Sequence, residues 1–326
     1  MQETSHKTIV VLGPTASGKT GLGLFLARRF QGEIVSADSR QVYRGLDLGT
    51  GKDLDDYTRE LPTVRHHLID IADPNEEYHL FRFVNDARTA IDDIVSRHLL
   101  PIIVGGTPLY LNALLDGYHL DGAAPDPGLR QQLESLDTPS LLTLLKEESA
   151  GYYERVDKEN RRRIIRAIEI VRTSGPIPPA PALRPDALLL APYFDRKIIH
   201  ARIKKRLDDR LAAGMIDEVK ILHEQQLVSW ERLDWFGLEY RFIAKHLQGQ
   251  LSYQEMREQL FISICQFCKR QDIWFRKMER EGKTIHWLPD GDRELASQLV
   301  QLHLQGKAQP PPKIQLKDIF YGPKTS

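Results

Sequence analysis

Gly13-Pro14-Thr15-Ala16-Ser17-Gly18-Lys19-Thr20 has the spacing G-x-x-x-x-G-K-[ST], a pattern for gripping phosphate. Its glycines let backbone N–H groups turn toward one anion. A helix after the loop would aim its positive N-terminal end at the same point, and Lys19 adds a point charge. Thr20 is placed to ligate a Mg2+ ion that shares the phosphate charge. The pattern specifies a di- or triphosphate, by default an ATP or other nucleotide site, without saying which molecule carries it. A nucleotide hydrolase adds an apolar strand ending in Asp, and Ile34-Val35-Ser36-Ala37-Asp38 is the candidate. Asp38 also opens the polar run Asp38-Ser39-Arg40-Gln41 at a strand's C-terminal end, where open parallel sheets place substrate. On spacing alone its carboxylate could hold metal, accept a substrate proton or cap a helix.

The elements that must position these residues alternate. Thr8–Leu12, Glu33–Ser36, Leu100–Val104 and Ala187–Ala191 are short continuous apolar runs, which implies strands buried on both faces of a parallel sheet. Lys19–Phe30 reads as a helix between the first two, and His66-His67 as part of a strand. Ser252-Tyr253-Gln254-Glu255 has capping-box spacing. Met256, Leu260, Ile264, Phe267 and Trp274 continue it at helical steps, so one long helix is expected to about Arg280, with a last short strand at His286–Leu288. Residues 117–182 carry helical stretches and no clear strand between Ala124-Pro125-Asp126-Pro127 and Gly175-Pro176-Ile177-Pro178-Pro179. The expected architecture is therefore α/β: a P-loop NTPase-like parallel sheet flanked by helices, from residues 1–116 and 187–305. A helical insertion occupies 117–186 and a flexible tail 306–326.

Composition bounds the partners. The 326 residues include 45 basic and 45 acidic ones, so a blanket polycation is excluded while local patches are not. No apolar run approaches the roughly 18 residues of a membrane span, and Met1–Lys7 lacks a signal peptide's apolar block. A cytoplasmic protein is expected. Cys265 and Cys268, the two cysteines, are expected as ordinary buried thiols on a helix.

Longer motifs carry a resemblance. The phosphate loop, then Ser36-Ala37-Asp38-Ser39-Arg40-Gln41-Val42-Tyr43-Arg44-Gly45-Leu46-Asp47-Leu48-Gly49-Thr50, resembles the tRNA dimethylallyltransferases. So do His66–Asp70, Val104-Gly105-Gly106-Thr107-Pro108-Leu109-Tyr110, Arg163–Glu169 and Lys269-Arg270-Gln271-Asp272-Ile273-Trp274-Phe275-Arg276, in the family's order from about residue 8 to 288. The resemblance implies that the exocyclic N6 amine of an adenine just 3′ of the anticodon attacks the allylic carbon of dimethylallyl diphosphate and expels diphosphate. The loop Gly13–Thr20 then holds a prenyl donor and not ATP, with Mg2+ at Thr20. It further implies Asp38 as general base, Arg206 as a cation on the leaving group, and Thr107 beside the reacting atoms. Ser39 and Gln41 would meet the target base, and Arg40 would bind the tRNA beside them. Arg130, Arg162, Arg163, Arg166, Lys269, Arg270, Gln271, Trp274 and Arg276 fall on positions that touch the tRNA anticodon stem-loop in that family. A monomer is expected.

Lys158–Arg172 and Lys269–Lys283 each hold six basic residues against two and three acids, so an RNA partner has some independent support. Two departures stand out. Gly49-Thr50-Gly51-Lys52-Asp53 replaces a common Gly-Thr-Ala-Lys-Pro, and Gly237-Leu238-Glu239-Tyr240-Arg241 replaces Gly-Tyr followed by a basic residue. Three alternatives share the phosphate loop: an adenylate isopentenyltransferase, a P-loop kinase of a small metabolite, and an RNA-binding factor that hydrolyses ATP.

Overall fold

A computed structural model describes residues 6–116, 127–173, 186–225 and 228–319. Chain contacts divide it into two compact units, 1–116 with 183–326, and 117–182. In the first, β1 (Thr8–Leu12), α1 (Lys19–Phe30), β2 (Gly32–Ser36), α2 (Asp55–Thr58), β3 (His66–His67), α3 (Leu80–Ser96), β4 (Leu100–Gly105) and α4 (Pro108–Asp116) precede the second unit. That unit holds α5 (Pro127–Glu134), α6 (Thr138–Glu148), α7 (Ala150–Arg155) and α8 (Arg161–Thr173). The chain then returns through β5 (Ala187–Tyr193), α9 (Arg196–Ala212), α10 (Met215–Glu224), α11 (Trp230–Phe236) and α12 (Leu238–Leu247). It ends with α13 (Tyr253–Arg280), β6 (Ile285–Pro289), α14 (Arg293–Leu304) and a 3-10 turn at Leu316–Asp318.

The six strands form one parallel sheet in the order β3-β2-β4-β1-β5-β6. Every residue of β1 and β4 is buried, which is why these strands read as unbroken apolar runs. Ile9, Val11, Ile34, Ile102 and Leu190 pack with Leu22 and Leu26 of α1 and Leu299 of α14. Truncating one of them, such as Ile102, to alanine costs about 2–5 kcal/mol. Register decides where chemistry can occur. Leu12 pairs with Gly105 and Ser36 with Val104, so the central strands β2, β4 and β1 stop level with one another. The loops Gly13–Gly18, Ala37–Gln41 and Gly106-Thr107 therefore leave the sheet side by side at its C-terminal edge.

The long helix starts at the expected box: Ser252 Oγ accepts from Glu255 N at 3.2 Å, and Glu255 Oε2 accepts from Ser252 N at 2.8 Å. Strands β2, β4, β5 and β6 each extend past the expected bounds by one or two residues, because main-chain pairing continues where the apolar run has ended. The segment after 306 departs from the flexible tail read in the sequence, at least to residue 319. Leu316 is 1% exposed, and Lys317 N donates to the buried Glu279 on α13 at 2.7 Å. One apolar residue and one backbone bond suffice to seat it, too little periodicity to show in sequence.

In the second unit, Asp137 caps α6 by accepting from Ser140 N at 2.8 Å, and Ser149 caps α7. Ile164, Ile165 and Ile168 of α8 meet Leu133, Leu141 and Leu145 in a core of their own. The Ala124–Asp126 and Gly175–Pro179 boundary signals lie outside the described residues; Pro127 opens α5.

Candidate active site

The three loops at the sheet edge, with α9, α11, α12 and α13, enclose a cleft of about 720 Å³. Gly18 stands at the N-cap of α1 with φ +84°, a left-handed conformation that suits glycine, and no side chain caps that helix. The first N–H groups of α1 therefore open on the cleft, which Thr15, Ala16, Gly18, Lys19 and Thr20 line. Lys19 Nζ reaches Pro14 O at 3.4 Å, and burial lowers the ammonium to about 8 despite the attraction of Asp38.

Two long-range contacts fix this loop. Arg206 of α9 donates from Nη2 to Thr15 Oγ1, and Gln271 of α13 accepts from Thr15 N at 2.9 Å. Burial, then the repulsion of Arg210, draws the Arg206 guanidinium down to about 10. Gln271 spends its amide as well, donating from Nε2 to Gly106 O at 2.6 Å, and is 4% exposed. Gln271, expected at RNA, ties the phosphate loop to the end of β4. Sequence gave no signal, since its partners lie 256 and 165 positions away.

Asp38 leaves β2 facing the same cleft. Its Oδ1 accepts from Arg40 N at 2.9 Å and from Gln41 N at 3.4 Å, which orients the carboxylate by the turn that follows it. Oδ2 has no hydrogen-bond partner among the described residues. Thr107 sits at the start of α4, yet its hydroxyl does not cap that helix: Oγ1 accepts from Ser39 N at 3.2 Å and joins the β4 loop to the Asp38 loop. Gln41, expected against the base, has both amide atoms engaged, accepting from Ser36 Oγ at 3.0 Å and donating to Gly51 O at 3.1 Å. Arg40 donates to Trp235 O at 3.0 Å with its guanidinium 4.3 Å from the Trp235 ring centre. Ser39, Arg40, Gln41 and Thr107 thus all line the cleft, three of them tied to its walls.

The basic residues divide. On α13, Lys269 and Arg270 are exposed and Arg270 lines the cleft. Trp274 is half-buried under Lys277, and Arg276 is half-buried near Asp272, whose carboxyl burial raises to about 6. In the helical unit, Arg130 forms a fork on Glu169 at 2.8 and 3.0 Å, and Arg166 joins it at 3.1 Å; the carboxylate they share is fully buried. Arg163 pairs with Asp157 at 3.2 Å. Arg162 is exposed, with no hydrogen bond or ion pair among the described residues. On α13 as well, Cys268 is buried, its thiol pushed up to about 12, and Cys265 is half-buried.

For a metal, the donor set of the cleft suits Mg2+ held largely by a bound phosphate. The Thr20 hydroxyl opens on the cleft and makes no hydrogen bond among the described residues, and carboxylates stand nearby at Asp38 and Asp53. The one group of three clustered ligand types among the described residues, Glu33, His67 and Asp93, lies elsewhere. There Arg97 forks onto Glu33 and holds its carboxyl down at about 2, an ion-pair cluster and not a metal cage.

The arrangement of anion cradle, carboxylate and arginine in one cleft has relatives. Residues 41–278 match the model of the family described as IPP transferase. The chain belongs to the IPP transferase family. It is 44% identical over 302 residues to tRNA dimethylallyltransferase 1 of Syntrophus aciditrophicus (strain SB), covering 91% of this chain and 98% of that one. It is 47% identical over 284 residues to tRNA dimethylallyltransferase 2 of Shewanella sediminis (strain HAW-EB3), covering 86% and 92%. The full-length tRNA isopentenylpyrophosphate transferase from Bacillus halodurans shares the fold with a TM-score of 0.67 and 30% identity, over 92% of this chain and 97% of that one. A eukaryotic dimethylallyltransferase acting on tRNA aligns with a TM-score of 0.73 and 25% identity, over 95% and 81%.

Family membership makes the departures at 49–53 and 237–241 informative. The first loop is strongly held: Glu218 accepts from the backbone N–H groups of Asp47, Leu48 and Gly49 at 2.6–3.1 Å and from Tyr240 Oη at 2.8 Å. Lys52 is buried on Asp47, Asp70 and Tyr43 O. No helix among the described residues is long and apolar enough to cross a membrane.

Proposed function

We propose that this chain transfers a dimethylallyl group from dimethylallyl diphosphate to the N6 amine of the adenine 3′-adjacent to the anticodon of tRNA. The observation that carries this reading is a single cleft in which an uncapped helix N-terminus with Lys19 and Arg206 shares space with the free oxygen of Asp38. Family membership and the names of the relatives supply the donor and the acceptor.

The chemistry follows from the groups. An aromatic exocyclic amine is a poor nucleophile, so a carboxylate that takes its proton helps. The N6 lone pair forms a bond to the allylic carbon, the carbon–oxygen bond to the diphosphate breaks with its electron pair moving to oxygen, and Asp38 Oδ2 receives the N6 proton. Negative charge grows on the leaving oxygen. Lys19, Arg206 and the N–H groups of α1 are fixed before it appears and stabilise it more in the transition state than in the ground state. Gln271 and Thr107 position the loops that carry these groups. Thr20 would hold a Mg2+ ion, which would supply further neutralisation of that charge. Arg162, Arg163, Lys269 and Arg270 are exposed cations available to RNA phosphates.

Incubation with labelled dimethylallyl diphosphate and either tRNA or free adenine nucleotides tests the reading. Label is expected in tRNA. Label entering only AMP, ADP or ATP contradicts it, as does phosphate transfer from ATP to a small acceptor.

A further inference from the structure

Arg206 is not the sole guanidinium on its side of α9. Arg210 follows four residues later, one helical turn on, 8% exposed and lining the same cleft. Asp53 fixes it, Oδ2 accepting from Arg210 Nη2 at 3.2 Å. The chain also makes room for it. At Gly51, where φ is +66°, a Cβ would fall inside the Arg210 guanidinium. Gly51 and Asp53 are the two positions at which Gly49–Asp53 leaves the pattern Gly-Thr-Ala-Lys-Pro. The other departure, Glu239, lies in the same wall. Burial raises its carboxyl while Arg206 and Arg210 both favour its charged form. Three departures, two in the 49–53 loop and one in the first turn of α12, thus surround one buried cation.

That cation is costly where it stands. Arg210 lowers the proton affinity of both Lys19 and Arg206, the mark of like charges in a poorly solvated space. Asp53 is more than half exposed, so its charge is screened and offsets little of this. An anion arriving among Lys19, Arg206 and Arg210 relieves the repulsion.

We propose that Arg210 is a second diphosphate-binding arginine, positioned by Asp53 in the space that Gly51 leaves. The inference rests on the function proposed above and adds a residue that the family resemblance does not supply. A guanidinium fits the task, since its planar fork can meet two phosphate oxygens and keeps its charge when buried. Arg206 is engaged with Thr15 in the loop, and Arg210 extends the positive wall by one turn toward the 49–53 loop.

The test is calorimetric titration of the full chain with inorganic pyrophosphate and Mg2+, with no prenyl group or RNA present. Arg210→Met is expected to weaken pyrophosphate binding about tenfold or more, the size of a lost charged hydrogen bond, and Arg210→Lys about threefold. Affinity for an anticodon stem-loop RNA should hold within about twofold in both. Lys19→Ala separates the two levels of argument. If Lys19→Ala abolishes pyrophosphate binding while Arg210→Met and Arg210→Lys leave it unchanged, this inference falls and the proposed function stands. If all three leave it unchanged, the cleft is not a diphosphate site and both fall. RNA affinity lost with pyrophosphate affinity kept also overturns the inference. Should Arg210→Met fail to fold by circular dichroism, Arg210→Lys decides alone, with unchanged affinity counting against it.

Discussion

The cleft at the sheet edge and the helical unit of residues 127–173 are both rich in arginine, and they treat it in opposite ways. In the helical unit Arg130 and Arg166 share the buried Glu169, Arg172 forks onto Glu148 and Arg163 meets Asp157. In the cleft Lys19, Arg206 and Arg210 each lie near another cation, and burial pulls the first two down. Arginines forked onto a carboxylate hold helices together; cations crowded against one another in a half-closed space, with only Asp53 among the described residues ion-paired to Arg210, are kept for something that arrives. A basic run in sequence does not distinguish these uses, and the partner each guanidinium finds in the fold does.

Substitutions that remove the charge meeting a ligand should therefore damage turnover, and those that remove a structural partner should damage folding. Lys19→Ala is expected to abolish use of the donor and Asp38→Ala to lower kcat by a factor on the order of 10² or more, both with unchanged melting temperature. Steady-state kinetics beside differential scanning calorimetry reads both quantities. Gln271→Leu leaves Thr15 N and Gly106 O unpaired, and should raise the KM for the donor about tenfold, with a smaller change in kcat. Equal loss in both would mean that the amide does more than seat the loop.

Glu169→Ala inverts the pattern. Stripping the shared carboxylate from Arg130 and Arg166 should cost about 2 kcal/mol of stability, since both arginines retain partial access to water, and should leave pyrophosphate affinity intact. Chemical denaturation checks it. Arg162→Ala, lacking a partner to strand, should weaken RNA binding a few-fold and reduce the slope of log affinity against log salt by about 1, with stability unchanged. A pH-dependent effect belongs to Glu33 on β2. Its folded carboxyl is lowered to about 2 from 4.5, so its stabilising contribution is present above pH 4.5 and fades as pH falls toward 2. Glu33→Gln should flatten unfolding free energy across that window.

Much of the fold was legible because both faces of β1 and β4 are covered, which writes continuous apolar runs, and because Ser252 and Glu255 sign the start of α13 locally. The phosphate loop was legible for the same reason: its function needs consecutive residues. What escaped was whatever depends on distant partners. Gln271 stands in a motif expected at RNA, yet its amide is spent on Thr15 and Gly106. Gln41 reads as a base contact and braces the 50–51 loop. Glu218, which gathers three backbone N–H groups, lies in an ordinary helical stretch. Arg210 carries no motif of its own, and its setting depends on Gly51 and Asp53 more than 150 positions away.

The central claim is that Asp38 and the phosphate loop serve one transfer from diphosphate to an adenine. The most direct measurement is mass analysis of nucleosides from unmodified tRNA incubated with the protein, dimethylallyl diphosphate and Mg2+, with Asp38→Ala alongside. One five-carbon prenyl unit should appear on the adenosine 3′ of the anticodon with the wild-type chain, and at least about a hundredfold more slowly with the variant. A tRNA that stays unmodified, or that gains the unit equally fast with Asp38→Ala, contradicts it.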